Sequence, residues 1–402
     1  MDLETFNWLL TADGQALLAE AQASNLTEAA QLQALIGLRR HTSPERAAAA
    51  YETALLRSRA AAKFSRAAAM YFTREALEQA SGETIATYRA QRYRAYSTVA
   101  DLACGIGGDA LALAQTGRVA AVDRDPLRLA MAAANARAYA VQSRIAFIEA
   151  DLELVPPPAA DALFFDPTRR VAGRRVFTLA AYRPPIALIE HWRANTPAIG
   201  VKVAPGVSDE ELAALGELEV EFISVDGELK EAVLWFGPLA APGRRATLLS
   251  RDTGSSHEPP TLHSRDAAPA APLAPPTDYL YEPDPAVIRA HLVTTLAARL
   301  GAAQLDSMIA YLTADHAVTT PFARCWRVIA WLPFNLKRLR ERLHALDAGA
   351  VTVKKRGSPL DTDALARQLS GQGRRSLVVV LTRMAERAVA LICEGPIDPD
   401  GS

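Results

Sequence analysis

Asp101, Gly105, Gly107, Asp123, Asp151 and Asp166 are the residues of this 402-residue chain whose types and spacing suit the binding of a cofactor and work beside it. The run Asp101-Leu102-Ala103-Cys104-Gly105-Ile106-Gly107-Gly108 ends an apolar stretch and precedes helix-forming residues. Glycines there let the backbone turn sharply and approach a ligand. The N–H groups of the helix that follows face the same space. Asp101 lies four residues before Gly105, where a carboxylate reaches the methionine part of S-adenosylmethionine (SAM), directly or through water. Gly105-x-Gly107-x-x-Ala110 also satisfies the looser dinucleotide pattern, which keeps NAD as the competing ligand.

Two further acids fit a nucleoside. Asp123 ends the segment VAAVDRDP, where a carboxylate can accept both ribose hydroxyls. Helix capping suits Asp125 better, because Pro126 follows it at the first helical position. Asp151 is placed to accept from an adenine amino group, with Leu152 covering the ring. The cofactor-binding set read in this way is Asp101, Cys104, Gly105, Gly107, Asp123, Arg124, Asp151, Leu152 and Asp166.

On the acceptor side, the run Phe165-Asp166-Pro167-Thr168-Arg169-Arg170 ends a later strand, and ligands of open α/β sheets bind beyond such ends. Amine methylation needs a lone pair aimed at the methyl group. The enzyme mostly supplies positioning, worth roughly 7–11 kcal/mol in favourable systems. Asp166 is the candidate to accept an amine hydrogen, Pro167 stiffens the turn, and Arg169 and Arg170 suit either a phosphate or neighbouring acids. Lys202 reads as a lysine at the solvent or pocket edge.

These residues need strands and helices in alternation to position them, and the chain supplies that pattern. TVADL, VAAVD, RIAFIEAD, ADALFFDP and AIGVKVAP read as strands, and EVEFISVDGELKEAVLWFG as a closing hairpin. Alternation with helices implies a parallel sheet covered on both faces. The hairpin departs from the plain dinucleotide fold and favours SAM. Residues 1–96 read as a helical domain, with starts at Ser43-Pro44 and Thr73. Residues 97–240 read as the sheet domain, 241–278 as a Pro- and Ala-rich linker, 279–331 as a helical connector, and 332–398 as a small α+β domain.

Composition narrows the partners. A net charge of −1 gives no global pull toward nucleic acid or membrane. Three separated cysteines form no disulfide or zinc framework, and seven histidines show no metal spacing. The acid-bearing start lacks a signal peptide, and a cytoplasmic chain without membrane spans or metal is expected. Locally, residues 333–383 carry 11 Lys/Arg against 4 Asp/Glu, including Lys354, Lys355 and Arg356. Residues 57–96 hold 8 against 3, with aromatics among them. Basic patches with aromatics suit nucleic-acid backbones and bases, although such faces are commonly just solvated.

The stretches KFSRAAAMYFTREALEQAS, YRAQRY, VADLACGIGGDALALA, VAAVDRDP, FFDPTRR, VDGELKEAVLWFG and YLYEPDPAVIRA resemble a bacterial family of RNA methyltransferases with a THUMP-like C-terminal domain. The terminal LPFNLKRLRERL, VTVKKRG and LVVVLTRMAERAVALI are similar to that domain. The resemblance extends distantly to cap-guanosine N2 hypermethylases. It implies a Rossmann-like class I methyltransferase sheet of seven strands with a terminal hairpin, an N-terminal helical domain and a C-terminal α+β THUMP-like domain. It also implies SAM as cofactor, Asp166 and Pro167 at the catalytic corner, and transfer to a base nitrogen, guanine first, in tRNA or rRNA. RNA contact is expected at Phe72, Arg169, Arg170, Lys354, Lys355 and Arg356. The cap relatives carry Ser-Pro-Pro-Trp where this chain has Asp166-Pro167-Thr168-Arg169, so the cap substrate does not carry over. A small-molecule methyltransferase and a nonenzymatic RNA-binding protein are the alternatives.

Overall fold

The computed structural model describes residues 1–171, 174–175, 178–251, 258–266, 270–357, 360–385 and 387–397. Two compact units form: Met1–Glu219 with Ala232–Pro242, and Val220–Glu231 with Gly243–Ser402.

The first unit opens with helices α1 (Leu3–Leu9), α2 (Ala12–Ala23), α3 (Gln31–Leu38), α4 (Pro44–Ala60), α5 (Arg74–Gln79) and α6 (Glu83–Gln91). Their starts follow from side-chain caps. The Ser43 side chain accepts from the Arg46 N–H with Pro44 at the first position, and Thr73 accepts from the Ala76 N–H. The helices share a unit with the sheet instead of standing apart. Phe6 meets Tyr71 edge-on at 5.3 Å. The buried Asn135 side chain accepts from the Tyr71 N–H and donates to the Tyr71 and Ile106 carbonyls, tying this segment to the glycine bend.

The sheet begins with β1 (Thr98–Leu102), α7 (Gly108–Leu113), β2 (Arg118–Asp123), α8 (Pro126–Ala138), β3 (Ile145–Glu149) and β4 (Ala162–Phe165). Then come the short β5 (Arg170–Val171) and β6 (Arg174–Arg175), α9 (Leu188–Arg193), β7 (Ile199–Val203), α10 (Asp209–Ala213), β8 (Glu219–Val225) and β9 (Glu228–Phe236). The strand order is β3-β2-β1-β4-β7-β9, parallel except for the antiparallel β7–β9 pair. Parallel strands with both faces covered read as unbroken apolar runs, and all four residues of β4 are fully buried.

In the second unit β8 and β9 join through Asp226 and Gly227, both left-handed, as a two-residue hairpin requires. These two strands complete the expected seven. β10 (Gly243–Leu249) and β11 (Thr261–His263) extend the order as β11-β10-β8-β9. The expected linker over 241–278 is therefore corrected. GRRATLL is a strand whose charged start hides a buried Ala246 and Thr247.

The expected helical connector over 279–331 is corrected as well. It holds α11 (Pro285–Arg289) and α12 (Val293–Leu300), but β12 (Tyr279–Pro283), β13 (Ala303–Asp306), β14 (Ile309–Ala314) and the start of β15 (Ala323–Pro333) fill the rest. The short β-prone runs YLYEP and IAYLTA lie among alanine-rich helices that mask their alternation. Next come α13 (Leu336–Ala345), β16 (Ala348–Lys355), α14 (Thr362–Leu369), β17 (Arg375–Met384) and β18 (Arg387–Ile397). The second sheet runs β13-β14-β12-β15-β18-β17-β16. Leu339 and Leu343 of α13 and Leu365 and Leu369 of α14 pack on one face of it with Val351, Val379 and Ile392. Among the described residues no helix is long and apolar enough to cross a membrane.

Candidate active site

A cleft of about 310 Å³ opens beyond the carboxyl ends of β1 to β4 in the first unit, a volume at the low end for small-molecule sites. The glycine bend forms its floor. Gly107 (φ 85°) lies so close to α8 that an added Cβ would meet the Ala132 Cβ at 3.2 Å. Gly105 (φ 55°) has no protein atom near where its Cβ would be, which leaves its backbone bare to the cleft. Ala103 takes φ 60° in the same bend, a conformation that L side chains adopt at a cost. Ala103→Gly relieves it, so the urea midpoint should rise by the equivalent of about 0.5–1 kcal/mol with an unchanged m-value. A lowered midpoint would show that the alanine fits there without strain.

Asp101, 1% exposed in β1, is the most unusual group beside the cleft, buried behind the glycine bend. Neither carboxylate oxygen completes a hydrogen bond among the described residues. Burial pushes its carboxyl well above the usual range. The Asp109 and Asp166 charges push the same way, while Arg89 and the Ala110 amide pull it back. Arg89 of α6 is itself buried, 2.9 Å from Asp109, donating to the Ser81 hydroxyl and stacked on Phe164 at 4.5 Å. A buried carboxylate without a partner is costly. The ammonium of a methionine moiety would satisfy such a group, so the residues fit SAM.

The other predicted cofactor residues converge on the same space. Asp123 accepts from the Gly105 N–H at 2.8 Å and the Asp125 N–H at 3.0 Å. It thus fastens the bend to the end of β2 while each oxygen keeps a lone pair for a ribose hydroxyl. Asp125 caps α8 through the Leu127 and Arg128 amides. Asp151 and Leu152 line the cleft, with one Asp151 oxygen accepting from the Glu153 N–H. Arg124 lines it with an exposed side chain. Cys104 also lines it, but burial raises its thiol well above the usual range and makes it a poor nucleophile.

Asp166 follows β4 across the cleft. Its N–H donates to the Leu102 carbonyl at 3.1 Å, and Thr168 and Arg183 exchange backbone hydrogen bonds at 2.7 and 3.1 Å. Pro167 is buried, and Thr168 and Arg169 line the cleft. The Arg170 backbone starts β5, and its side chain lies outside the described residues.

Sequence reading missed three contributors. Lys202, read as a lysine at the solvent or pocket edge, is 7% exposed and lines the cleft, and its pairing with Asp166 at 2.7 Å is what the sequence did not show. The signal was a lone lysine inside the apolar run AIGVKVA. Arg89 and Asp109 are the second contributor. The third is α5 with Ala80, whose Leu77 and Ala80 carbonyls accept from Lys63 Nζ at 2.7 and 2.6 Å. Phe72, expected against substrate, is 1% exposed and packs on Phe64 at 5.8 Å. The correction follows from its place one residue before the α5 cap, which turns the ring inward and leaves the next turn, from Glu75, to line the cleft.

Lys354, Lys355 and Arg356 belong to the second unit and not to the cleft. Lys354 pairs with Glu282 at 2.6 Å, which offsets its charge. Lys355 is exposed and donates to the Leu360 carbonyl, and Arg356 lies over Tyr311. Lys337, Arg338, Arg340 and Arg342 are exposed on α13.

Comparison with known proteins adds the following. Residues 96–183 match the family model of RNA cap guanine-N2 methyltransferase, residues 323–395 that of a THUMP domain-like module, and residues 2–60 a domain of unknown function. The module thus begins at β15, ahead of Leu332. Two Mycobacterium tuberculosis proteins, from strains CDC 1551 / Oshkosh and ATCC 25618 / H37Rv, are described as uncharacterized SAM-dependent methyltransferases. Each is 40% identical over 349 residues, covering 83% of this chain and 92% of theirs. A crystal structure of a Porphyromonas gingivalis W83 protein classed with the methyltransferases has a TM-score of 0.74 at 21% identity, covers 96% of this chain and 99% of that one, and speaks to the fold.

Proposed function

Because the chain belongs to the SAM-dependent methyltransferase family of its Mycobacterium tuberculosis relatives, we propose that it methylates a base nitrogen in tRNA or rRNA, guanine first. The observation that carries this reading is the cleft beyond the strand ends, with Asp166 in its lining at the end of β4 and the buried Asp101 carboxylate behind the glycine bend. The family-model descriptions, which name RNA cap guanine over the sheet and a THUMP-like module at the other end, favour RNA. The exposed cations of α13 suit a polyphosphate backbone.

Bound SAM supplies a methyl group on a sulfonium, whose leaving group is a neutral thioether. Asp101 would hold the cofactor ammonium, Asp123 the ribose hydroxyls and Asp151 the adenine amine. Asp166 accepts an N–H of the acceptor base and so orients its nitrogen lone pair. The surplus proton of the methylated nitrogen would leave toward Asp166 and water. The residues supply orientation and a dry wall for this transfer.

The test uses tritiated SAM and total RNA from cells that lack this gene. Label should enter one methylated guanosine, identified by nucleoside mass spectrometry and absent from the starting RNA. Label confined to small molecules would replace RNA as the substrate. No transfer at all, with SAM still bound, would leave an RNA-binding protein on a methyltransferase fold.

A further inference from the structure

We propose that Lys202 is the positioning residue of the acceptor corner. Its ammonium takes one Asp166 oxygen, leaves the other to face the acceptor, and cancels a charge that would otherwise bear on the cationic cofactor. The acceptor part rests on the reading above; the charge part does not.

A lysine in a strand with both faces covered is out of place unless its charge is matched. Every residue of β7 is buried, and Lys202 stands on the same side of the strand as Gly200. At Gly200 an added Cβ would clash with Tyr93 and Trp235. Lys202 Nζ reaches Asp166 Oδ2 at 2.7 Å and the Gln79 carbonyl at 3.2 Å. One side chain thereby joins the acceptor corner to the end of α5, and both line the cleft. Apolar residues of similar volume commonly serve stability as well as a buried ion pair does, so stability alone gives no reason for a lysine here. What the ammonium adds is direction. A carboxylate with one oxygen held by an ammonium has its rotation restricted, and its other oxygen, free of that bond, is held in a fixed direction to accept an N–H. Other charged groups line the cleft with the pair, among them Asp109 of α7, Arg169 and Arg183. The Asp166 charge is felt at Asp101, so the two stations share one electrostatic field.

The pair is neutral, which gives a test independent of RNA. Calorimetry would measure SAM and its neutral product S-adenosylhomocysteine on wild type, Lys202→Met, Asp166→Asn and the double variant. Lys202→Met should shift the affinity ratio about fivefold toward SAM, and Asp166→Asn about fivefold away from it. The double variant should return near wild type. Ratios that stay put in both single variants would remove the charge role.

With tritiated SAM and total RNA, Lys202→Met should lose turnover, while the double variant should be no slower than Asp166→Asn. Additive losses, or Lys202→Met turnover equal to wild type, would overturn the positioning role. If wild type labels no RNA, the RNA reading fails, and the binding ratios still decide the charge role of Lys202.

Discussion

Asp101→Asn should weaken SAM binding about 30- to 100-fold at neutral pH while the cofactor-free protein becomes no less stable. The carboxylate is buried, is met only weakly by the Ala110 amide and faces two other acids. In the empty cleft its charge is a cost, and against a cofactor ammonium it becomes one half of a desolvated pair. A hydrogen bond to a charged group is worth about 1.5–3 kcal/mol, a range that contains this loss.

The sign of the pH effect follows. The folded carboxyl sits above its ordinary value of 3.8, so folding favours its protonated form. Its contribution to stability is fully present below that value and is lost as pH rises through the raised folded pKa. Asp101→Asn removes this decline, so denaturant midpoints of variant and wild type should draw apart as pH rises, with the variant the more stable. Cofactor affinity runs the other way: wild type should bind SAM more tightly at higher pH, where the carboxyl is ionised, and the variant should show a flatter profile. Calorimetry across pH reads both. Equal affinities of the two proteins at high pH would mean that Asp101 does not hold the ammonium.

Asp166→Ala should lower turnover by about a thousandfold and leave SAM affinity within about tenfold. Positioned proton acceptors contribute typically 10²- to 10⁴-fold. The alanine loses the carboxylate that orients the acceptor nitrogen and also strands Lys202, which still donates to the Gln79 carbonyl. Single-turnover transfer from labelled SAM isolates the chemical step. A variant that turns over like wild type would take Asp166 out of the mechanism, whichever acceptor is used.

Much of the cofactor half of this site was legible in the sequence. Glycines with positive φ, an acid four residues upstream and acids at the ends of successive strands are each fixed by local backbone geometry, and local geometry is what residue spacing records. The acceptor half was less so. The Lys202–Asp166 pair joins residues 36 apart in sequence, and nothing in either run announces the other. Phe72 was read as substrate-facing because aromatics among basic residues suit bases, yet the first-turn cap at Thr73 decides where the ring goes. The second unit was hardest. In β12 to β14 the strands are four to six residues long and lie beside alanine-rich helices, so helical propensity outweighed a brief alternation.

The boundary drawn near residue 240 falls after β9, yet β8 has β10 as its other hydrogen-bonded neighbour. A chain cut there would present β8 with a row of bare amides and carbonyls along a strand that is otherwise fully buried. Such an edge recruits other strands. Shortened versions of the catalytic half will stay dispersed only if they keep residues through at least β11 at His263.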